Sequence, residues 1–254
     1  MRKLSDESGL GRRDVLSRLG SVVAVGFLNG CGGSDDASPT SASSSSSTTS
    51  STSAASTNAQ CVVTPALTEG PYFVDEMLNR SDIRTDPATG TARPGVPLDL
   101  TLALSQVGAS GCGPLAGALV DMWHCDALGV YSDVSAQRTV GQAFLRGYQI
   151  SDQSGNVRFT TIYPGWYQGR AVHIHFKVRT SPTGARGLEF TSQLFFDEAL
   201  TDQVHARSPY SQKGRRDTLI TTDGIFRSGG TSLLVPLAAS AGGYAGTMYV
   251  GVRV

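Results

Sequence analysis

Short runs of alternating apolar and polar residues recur along the chain from residue 98 onward. Leucine occupies every second position of residues 98–104, so one side of this run is apolar, as in a half-buried β-strand. A similar period of two, or a short apolar run, predicts further strands at residues 115–125, 157–163, 171–179, 189–196, 232–238 and 246–254. The single short candidate for a helix is residues 197–204.

Turn signals, among them Ser-Gly, Pro-Gly and Gly-Gly pairs, lie between these runs. Many short strands with frequent turns predict an all-β domain, a two-sheet β-sandwich with little helix. Residues 132–147 and 205–223 lack the alternating pattern and predict long loops. Long loops on a rigid sandwich are common places for binding and catalytic sites.

The first 31 residues have the features of an export signal. Arg12 and Arg13 precede a weakly apolar run at residues 19–28, which is shorter than the roughly 20 apolar residues that a membrane-spanning helix requires. This combination predicts a twin-arginine signal over residues 1–31. Its last four residues, Leu-Asn-Gly-Cys, resemble a bacterial lipobox, in which Cys31 becomes the lipidated first residue. The alternative is a signal that is simply cleaved, with Cys31 incidental.

Residues 32–59 consist almost entirely of Ser, Thr, Ala and Gly. Such a composition has little apolar surface to bury and predicts a disordered tether. The remaining residues, 60–254, suffice for one domain with its own core. Together these features predict an exported protein of the periplasm or cell envelope, whose only contact with the membrane is a lipid anchor. The oligomeric state is left open.

The charge and the cysteine content of the chain bear on its partners and on its disulfide bonds. The chain has 21 Lys and Arg residues and 21 Asp and Glu residues, a formal net charge of +0 at pH 7. Because residues 60–254 contain no basic run, a nucleic-acid partner is disfavoured. Apart from Cys31, the cysteines are Cys61, Cys112 and Cys125. An exported protein is expected to form one disulfide from these. Cys61 with Cys112 is the favoured pair, although the sequence does not assign connectivity.

Two histidines at alternate positions are the first indication of chemistry. His173 and His175 alternate with Ile174 and Phe176, so at the period of a strand both imidazoles project from the same face. Neutral imidazole is a ligand for zinc, copper, iron or nickel. The phenol of Tyr167, just upstream, could complete a chelate, and a phenolate favours a trivalent ion over zinc. By itself, a His-x-His pair also occurs on polar strand faces without a metal.

A second cluster precedes this pair. Residues 120–131 resemble a strand that runs into a glycine turn and ends on Tyr131. Tyr131 is therefore a fourth candidate metal ligand beside Tyr167, His173 and His175. Taken alone, Tyr131 has an ordinary alternative role, because a tyrosine at such a position commonly caps a loop.

Other polar residues near these ligands also have structural explanations. Arg170 could pair with a surface carboxylate such as Asp121, and Gln193 could be a strand amide whose hydrogen bonds are satisfied. Three further side chains are expected to lie outside the site: Tyr163 in the core, His124 as a hydrogen-bonded structural residue, and His205 in contact with solvent.

Taken in order, these segments resemble the intradiol ring-cleavage dioxygenases of the catechol and protocatechuate 3,4-dioxygenase type, which are non-haem Fe(III) enzymes. The resemblance covers most of residues 61–254, and the export signal indicates an exported branch of the family. The matching segments are residues 68–72 (Thr-Glu-Gly-Pro-Tyr), 121–131, 144–147 (Phe-Leu-Arg-Gly), 163–176 and 192–195 (Ser-Gln-Leu-Phe).

The resemblance implies a ligand set for Fe(3+). Tyr131 corresponds to the equatorial tyrosinate and Tyr167 to the axial one, and His173 and His175 correspond to the two imidazole ligands. Two phenolates and two imidazoles suit Fe(III), because this ion prefers hard anionic oxygen.

The resemblance also implies catalytic and substrate-binding residues. Tyr167 would leave the ion when substrate binds and take up a proton. Arg170 corresponds to the active-site arginine, which stabilises the electron-rich ring, and Gln193 to a glutamine behind the ligands. Pro71 and Tyr72 are expected to line the substrate pocket.

The implied reaction is the cleavage of a catechol-type aromatic diol by O2, between its two hydroxyl-bearing carbons, to a muconate-type diacid. The interval from Tyr167 to His173 is shorter than in the well-known degradative enzymes, and the N-terminal helical dimerisation domain of the catechol branch is absent, so the particular catechol is open. Two other functions compete with this one. The first is a non-catalytic extracytoplasmic binding module with a vestigial or structural metal site. The second is a zinc hydrolase that uses His173 and His175, although the motif lacks a carboxylate base.

Overall fold

The computed structural model describes residues 61–181 and 187–254. The predicted signal over residues 1–31, including Cys31, and the predicted linker over residues 32–59 lie outside the described residues. Among the described residues, no helix is both long and apolar enough to cross a membrane.

Strands dominate the described chain. In order they are β1 (Pro97–Gly108), β2 (Gly111–Pro114), β3 (Leu119–Trp123), β4 (Arg146–Ile150), β5 (Asn156–Ile162), β6 (His173–Arg179), β7 (Glu189–Phe195), β8 (Leu237–Ser240) and β9 (Gly243–Arg253). Two short α-helices follow β7, namely α1 (Glu198–His205) and α2 (Gly224–Arg227). Short 3-10 helices occupy Ser135–Gln137, Tyr210–Lys213 and Gly230–Leu233.

The strands form two sheets. In the first the order is β2-β1-β9-β8, and β5 also pairs with β1, along the part of β1 that precedes its pairing with β2. Within this sheet β1 and β9 run parallel, whereas the other pairs are antiparallel. The second sheet is antiparallel throughout, with the order β4-β3-β6-β7. The predicted all-β, two-sheet sandwich with little helix is confirmed.

The alternating pattern locates most of the strands. The strand predicted at residues 232–238 is wrong over residues 232–236, because Gly230–Leu233 is a short 3-10 helix and β8 begins only at Leu237. Neither β2 nor β4 is predicted, since Gly-Cys-Gly-Pro and Arg-Gly-Tyr-Gln-Ile have no alternation of apolar residues. The helix candidate is confirmed as α1, which Asp197 caps by accepting a hydrogen bond from Leu200 N at 2.9 Å.

The main core lies between the two sheets, and the period of two decides which side chains reach it. The four leucines of residues 98–104 are at most 2% exposed. On β6, Ile174, Phe176 and Val178 are buried in the same apolar cluster. The intervening positions of β6, which begin with His173, therefore lie on the opposite face of the second sheet.

A stretch of chain before β1, residues 68–80, covers that opposite face and is here named the covering segment. Arg179 of β6 forms an ion pair with Asp75 of this segment at 2.8 Å. The ring of Phe73 packs on Trp123 of β3, with the centroids 4.9 Å apart. As a result every residue of β6 is buried, on both faces. The predicted metal ligands of β6 therefore lie beneath a further layer of chain.

Cys61 and Cys112 form a disulfide with their Cα atoms 5.5 Å apart, which is the pairing favoured from the sequence. Cys112 lies opposite Val107, near the end of β1, whereas the start of β1 pairs with Ile162, just before the loop that contains Tyr167. About ten strand residues, or roughly 30 Å, separate these two positions. The disulfide is therefore at the end of the sandwich remote from Tyr167.

The two histidines outside the predicted site are both buried. His124 has its Nδ1 2.8 Å from Cys125 O and its Nε2 2.7 Å from Thr161 Oγ1, as expected for a hydrogen-bonded structural residue. The expectation that His205 contacts solvent is wrong, because this residue is 9% exposed and its Nε2 lies 3.1 Å from Pro164 O. The end of α1 packs against the loop that follows β5, and this contact removes His205 from water.

Acid should destabilise the fold through His205. Burial lowers its pKa from 6.5 to about 4, and the charge of Arg216 also lowers it, while the hydrogen bond to Pro164 and the charge of Asp202 oppose the shift. Because the unfolded chain binds a proton more readily than the folded one, stability is lost as the pH falls from 6.5 towards 4. His205→Gln keeps an N–H for Pro164 but does not titrate. Between pH 7 and pH 5 its unfolding free energy should fall by about 2 kcal/mol less than that of the wild type.

Urea unfolding of the metal-free proteins at both pH values measures this difference. Equal falls in the variant and the wild type would show that His205 does not contribute to acid sensitivity. The comparison uses the change in unfolding free energy between pH 7 and pH 5 for each protein. A loss of stability that the substitution causes equally at both pH values therefore cancels.

Candidate metal centre

Three elements bring four side chains to one end of the second sheet. His173 and His175 stand on the covered face of β6, Tyr167 in the loop between β5 and β6, and Tyr131 after β3. The Nε2 atoms of the two histidines are 3.0 Å apart, and Tyr167 Oη is 3.2 Å from His173 Nε2. The ring centroid of Tyr131 is 5.6 Å from that of Tyr167 and 6.5 Å from that of His175. The structure thus places all four predicted ligands together.

A tight turn brings Tyr131 to this position. Asp126 accepts two hydrogen bonds at Oδ1 from backbone N–H groups of the turn, each 2.9 Å long. Gly129 has a φ of +80°, and a Cβ there would collide with the backbone oxygen of Trp166. Glycine is therefore required for two reasons, its positive φ and its lack of a side chain. It allows the turn to pack directly on the loop that contains Tyr167.

Tyr131 is fully buried and is fixed through its backbone. Its N–H donates to Gln137 Oε1, and its carbonyl oxygen accepts from Thr139 Oγ1 at 2.6 Å. Its own Oη has no hydrogen-bond partner within the described part of the chain. Burial, together with the neighbouring phenol of Tyr167, raises the pKa of Tyr131 well above 10.0. Such an oxygen is costly to bury without a partner, and a cation bound to it would remove that cost.

The two imidazoles point their Nε2 atoms at one another. His173 Nδ1 is 2.6 Å from Ala171 O, and because a carbonyl oxygen can only accept, Nδ1 carries the proton and Nε2 presents a lone pair. Trp123 stacks on the ring of His175, with an interplanar angle of 7°. Burial lowers the pKa of His173 to about 3 and that of His175 well below 6.5, and the charge of Arg170 contributes to both shifts. Both rings are therefore neutral, as metal ligands must be.

This donor set fits a ferric ion. Two phenol oxygens and two imidazole nitrogens converge, and the partnerless Oη of Tyr131 and the lone pair of His173 Nε2 would both be satisfied by one cation. By contrast, residues 61–181 and 187–254 contain no group of three or more His, Cys, Asp or Glu side chains placed to hold a metal ion. His173 and His175 are zinc ligand types, but zinc sites normally have at least three ligands from His, Cys and carboxylate side chains, and the other two side chains here are tyrosines.

Arg170 is held beside the ligands by two partners. Its Nη2 donates to Gln193 Oε1 at 2.6 Å, and its Nε donates to Asp223 Oδ2 at 2.9 Å. The remaining nitrogen, Nη1, lies 3.4 Å from His173 Nε2. The guanidinium thus has one end fixed by protein and the other directed at the predicted metal ligands.

The structure decides between the partners that the sequence left open. Asp121 pairs with Arg179 at 2.8 Å, so the alternative in which it pairs with Arg170 is wrong. Gln193 of β7 is a strand amide with its hydrogen bonds satisfied, since its Nε2 donates to Thr68 O at 2.7 Å. Because its Oε1 also accepts from Arg170, the same side chain links this arginine to the covering segment.

The residues expected to line the substrate pocket belong to the covering segment. Tyr72 is half-buried, and its ring centroid is 4.6 Å from that of Tyr131 and 6.0 Å from that of Tyr167. Pro71, next to it, is exposed. The carbonyl oxygen of Tyr72 accepts from Nη1 of Arg146 at 2.7 Å. Tyr72 therefore borders the four candidate ligands.

Two residues that support the site were not predicted to do so. Arg146, in the Phe-Leu-Arg-Gly segment, is 2% exposed and donates to Oγ and O of Ser132, the residue after Tyr131. Asp223, also 2% exposed, holds Arg170. Its only signal in the sequence is an aspartate before Gly-Ile-Phe, typical of a helix N-cap, which gives no indication of a distant arginine.

The fold is a two-sheet β-sandwich, and two tyrosines and two histidines lie together at one end of one sheet. These features place the protein among the β-sandwich proteins with a candidate single-metal centre. The family model described as Dioxygenase matches residues 68–233, a range that includes all four of these residues and Arg170. The chain belongs to the intradiol ring-cleavage dioxygenase family.

Individual relatives agree with this assignment. The chain is 32% identical over 102 residues to chlorocatechol 1,2-dioxygenase of Pseudomonas putida, a match that spans 33% of this chain and only 36% of that protein. An intradiol ring-cleavage dioxygenase from Tetranychus urticae is 30% identical with a TM-score of 0.66, over 76% of this chain and 95% of that one. The dioxygenase domain of a dioxygenase carbohydrate-binding protein fusion from Streptomyces sp. SirexAA-E is 30% identical with a TM-score of 0.53, over 76% and 98% of the two chains.

Proposed function

We propose that this protein uses Fe(3+) to cleave a small catechol-type aromatic diol with O2, between its two hydroxyl-bearing carbons, to a muconate-type diacid. The observation that supports this most directly is the convergence of Tyr131, Tyr167, His173 and His175 in a fold of the intradiol dioxygenase family. These four residues would hold the ion. Bound there, Fe(3+) would supply Lewis acidity towards the two oxygens of the diol and activate the ring towards O2.

Tyr167 is the ligand best placed to exchange with a substrate. It is half-buried, whereas Tyr131 is fully buried behind the ring of Tyr72. A diol that is to react as a dianion must lose the protons of both hydroxyl groups; one would pass to solvent, and a phenolate of the protein would be the base for the other. Tyr167 Oη would therefore accept one of these protons, while Tyr131 stays in place.

Arg170 would stabilise negative charge on the substrate oxygens. Because Asp223 and Gln193 already hold its Nε and Nη2, the guanidinium is oriented before a substrate arrives. A donor fixed in advance need not reorganise as charge develops, and this is the condition under which electrostatic stabilisation is most effective.

The covering segment would keep bulk water away from the reaction. Beneath it, Trp123, Tyr131, His173 and His175 are each at most 2% exposed. Charges interact more strongly in such surroundings than in water. Tyr72 and Tyr167 are half-buried, so a planar diol would approach from their side of the site.

Oxygen consumption by the iron-loaded full chain tests this function. The protein should absorb visible light through tyrosinate-to-iron charge transfer. It should also consume O2 with at least one of catechol, protocatechuate and hydroxyquinol, and with ¹⁸O₂ the ring-opened product should gain both labelled atoms. Metal-free protein is the control. Colourless protein that binds zinc instead would contradict the ferric assignment, and coloured protein inactive with every diol would favour a non-catalytic binding module.

We propose further that the protein acts outside the cytoplasm, attached by a lipid on Cys31. The support is in the sequence, from the pair Arg12 and Arg13 and from the lipobox-like residues 28–31. Mass spectrometry of the mature chain should find an acylated N-terminus at Cys31, and Cys31→Ala should release the protein from the membrane fraction. An unmodified N-terminus in the wild-type protein would indicate a signal that is simply cleaved.

A further inference from the structure

We propose that Asp223 is a positioning residue for the metal centre: its carboxylate holds Arg170 beside the substrate and fixes the backbone that orients His173. The inference rests on the function proposed above. Asp223 stands at the N-terminus of α2, far along the chain from the candidate ligands, and is 2% exposed. Within the described part of the chain its hydrogen bonds go to Arg170, Ala171, Ile225 and Phe226 and to none of the four ligands, so any hold on the position of a ligand passes through other residues.

Both carboxylate oxygens of Asp223 accept hydrogen bonds, and each accepts them from a different part of the molecule. Oδ1 accepts from the backbone N–H groups of Ile225 at 2.7 Å and Phe226 at 3.0 Å, and so caps α2. Oδ2 accepts from Arg170 Nε at 2.9 Å and from the backbone N–H of Ala171 at 2.7 Å. One oxygen therefore stabilises a local helix, while the other is bound by the segment that leads into β6.

The bond to Ala171 reaches a candidate ligand in two steps. The N–H of Ala171 donates to Asp223, and the carbonyl oxygen of the same residue accepts from His173 Nδ1 at 2.6 Å. A residue bound at both its amide and its carbonyl cannot rotate without losing one of these bonds. The direction of the His173 Nε2 lone pair is thus set by a chain of contacts that ends on Asp223.

The bond to Arg170 fixes the plane of the guanidinium. The pair is largely removed from water, with the side chains of Arg170 and Asp223 14% and 1% exposed. Burial alone would raise the pKa of Asp223, but hydrogen bonds from the backbone of Ala171 and Phe226, and the charge of Arg170, lower it below 3.8. The group therefore remains a carboxylate, and its bond to Arg170 is of the strong, charge-assisted kind.

If Asp223 had only a structural role, capping of α2 would be sufficient. One variant separates this capping role from the positioning role. Asp223→Ser keeps a side-chain oxygen that can cap α2, because serine is a good N-cap residue, but it has no second oxygen for Arg170 and Ala171. Asp217→Asn is the matched control. Asp217 is another carboxylate of this region and accepts from Gly169 N at 3.2 Å, but it is exposed.

In iron-loaded protein, Asp223→Ser should lower kcat/KM for diol cleavage about 10²-fold, since a misplacement of about 1 Å can cost that much. Its charge-transfer band should shift, and Asp217→Asn should match the wild type in both respects. In an Arg170→Lys background the added loss from Asp223→Ser should shrink to a few fold, because the guanidinium that it positions is gone. Wild-type kcat/KM and an unshifted band in Asp223→Ser would overturn the inference.

A measurement on metal-free protein separates failure of this inference from failure of the proposed function. The Nε–H of Arg170 and the amide N–H of Ala171 should exchange with solvent about tenfold faster or more in Asp223→Ser than in the wild type or Asp217→Asn. Equal exchange rates would overturn the role of Asp223, whatever the activity. Faster exchange in a protein whose wild type cleaves no diol would support that role and count against the proposed function.

Discussion

Tyr131→Phe should weaken iron retention, shift the visible absorption of the iron-loaded protein and lower kcat more than about 10²-fold. Changing a group that only supports a metal ligand typically costs about 10- to 100-fold in metal affinity or activity, so loss of a ligand should cost more. The substitution removes one buried oxygen and leaves the packing of the ring intact. Visible spectroscopy, iron content after dialysis against a chelator, and steady-state oxygen consumption measure the three effects.

Tyr163→Phe is the matched control for this prediction. Tyr163 is also fully buried, but its Oη lies 2.7 Å from Thr201 Oγ1, away from the candidate ligands. Losing that hydrogen bond should cost about 1 kcal/mol of stability and leave colour and kcat unchanged. If Tyr131→Phe kept the wild-type spectrum, or if Tyr163→Phe changed it, the assignment of the tyrosine ligands would be wrong.

Arg170→Lys should lower kcat about 10²- to 10³-fold while the protein keeps its iron and its colour, the loss expected when one preorganised donor is removed from a developing charge. Lysine keeps the positive charge, but a single ammonium cannot donate to Asp223, to Gln193 and towards the substrate in one fixed plane. The contrast with Tyr131→Phe is informative because that change removes a proposed ligand of the ion, whereas Arg170→Lys changes only a donor beside it.

Arg179→Lys separates this effect from a general loss of buried arginine bonds. Arg179 is also buried and ion-paired, with Asp75 and Asp121, but it lies at the far end of β6 from the candidate ligands. Lysine keeps the positive charge that pairs with Asp75, so the covering segment should stay in place, and the variant should lower the melting temperature without lowering kcat. Retention of full activity by Arg170→Lys, or a comparable fall in kcat for Arg179→Lys, would refute a special role for Arg170.

A strand of this fold can be predicted from its own sequence when its apolar positions are the buried ones. The leucines of β1 are buried in this way, and several strands of that kind are enough to predict a β-sandwich. In β4 the relation is reversed, because Arg146 is 2% exposed whereas the apolar Ile150 is 55% exposed. Its membership of the second sheet depends on pairing with β3, a long-range contact that no short window of sequence contains.

The site was predictable to the extent that its residues share a strand or a family motif. His173 and His175 are related by the period of β6, but only the family resemblance joined Tyr131 to them, since no spacing rule brings a distant turn to this strand. The role of Asp223 and the burial of His205 were not predictable. Both depend on how the chain after β7 packs against the loop before β6.

The position of the disulfide has a consequence for where the protein can work. Cys61 and Cys112 are both exposed, whereas the remaining described cysteine, Cys125, is buried. Among the described cysteines, reduction would therefore act on the disulfide at the end of the sandwich remote from Tyr167, away from the four candidate ligands. Joining residues 51 positions apart restricts the unfolded chain enough to stabilise the fold by about 4 kcal/mol. Loss of this disulfide should thus shorten the time for which a molecule survives, and have little influence on how fast it turns over.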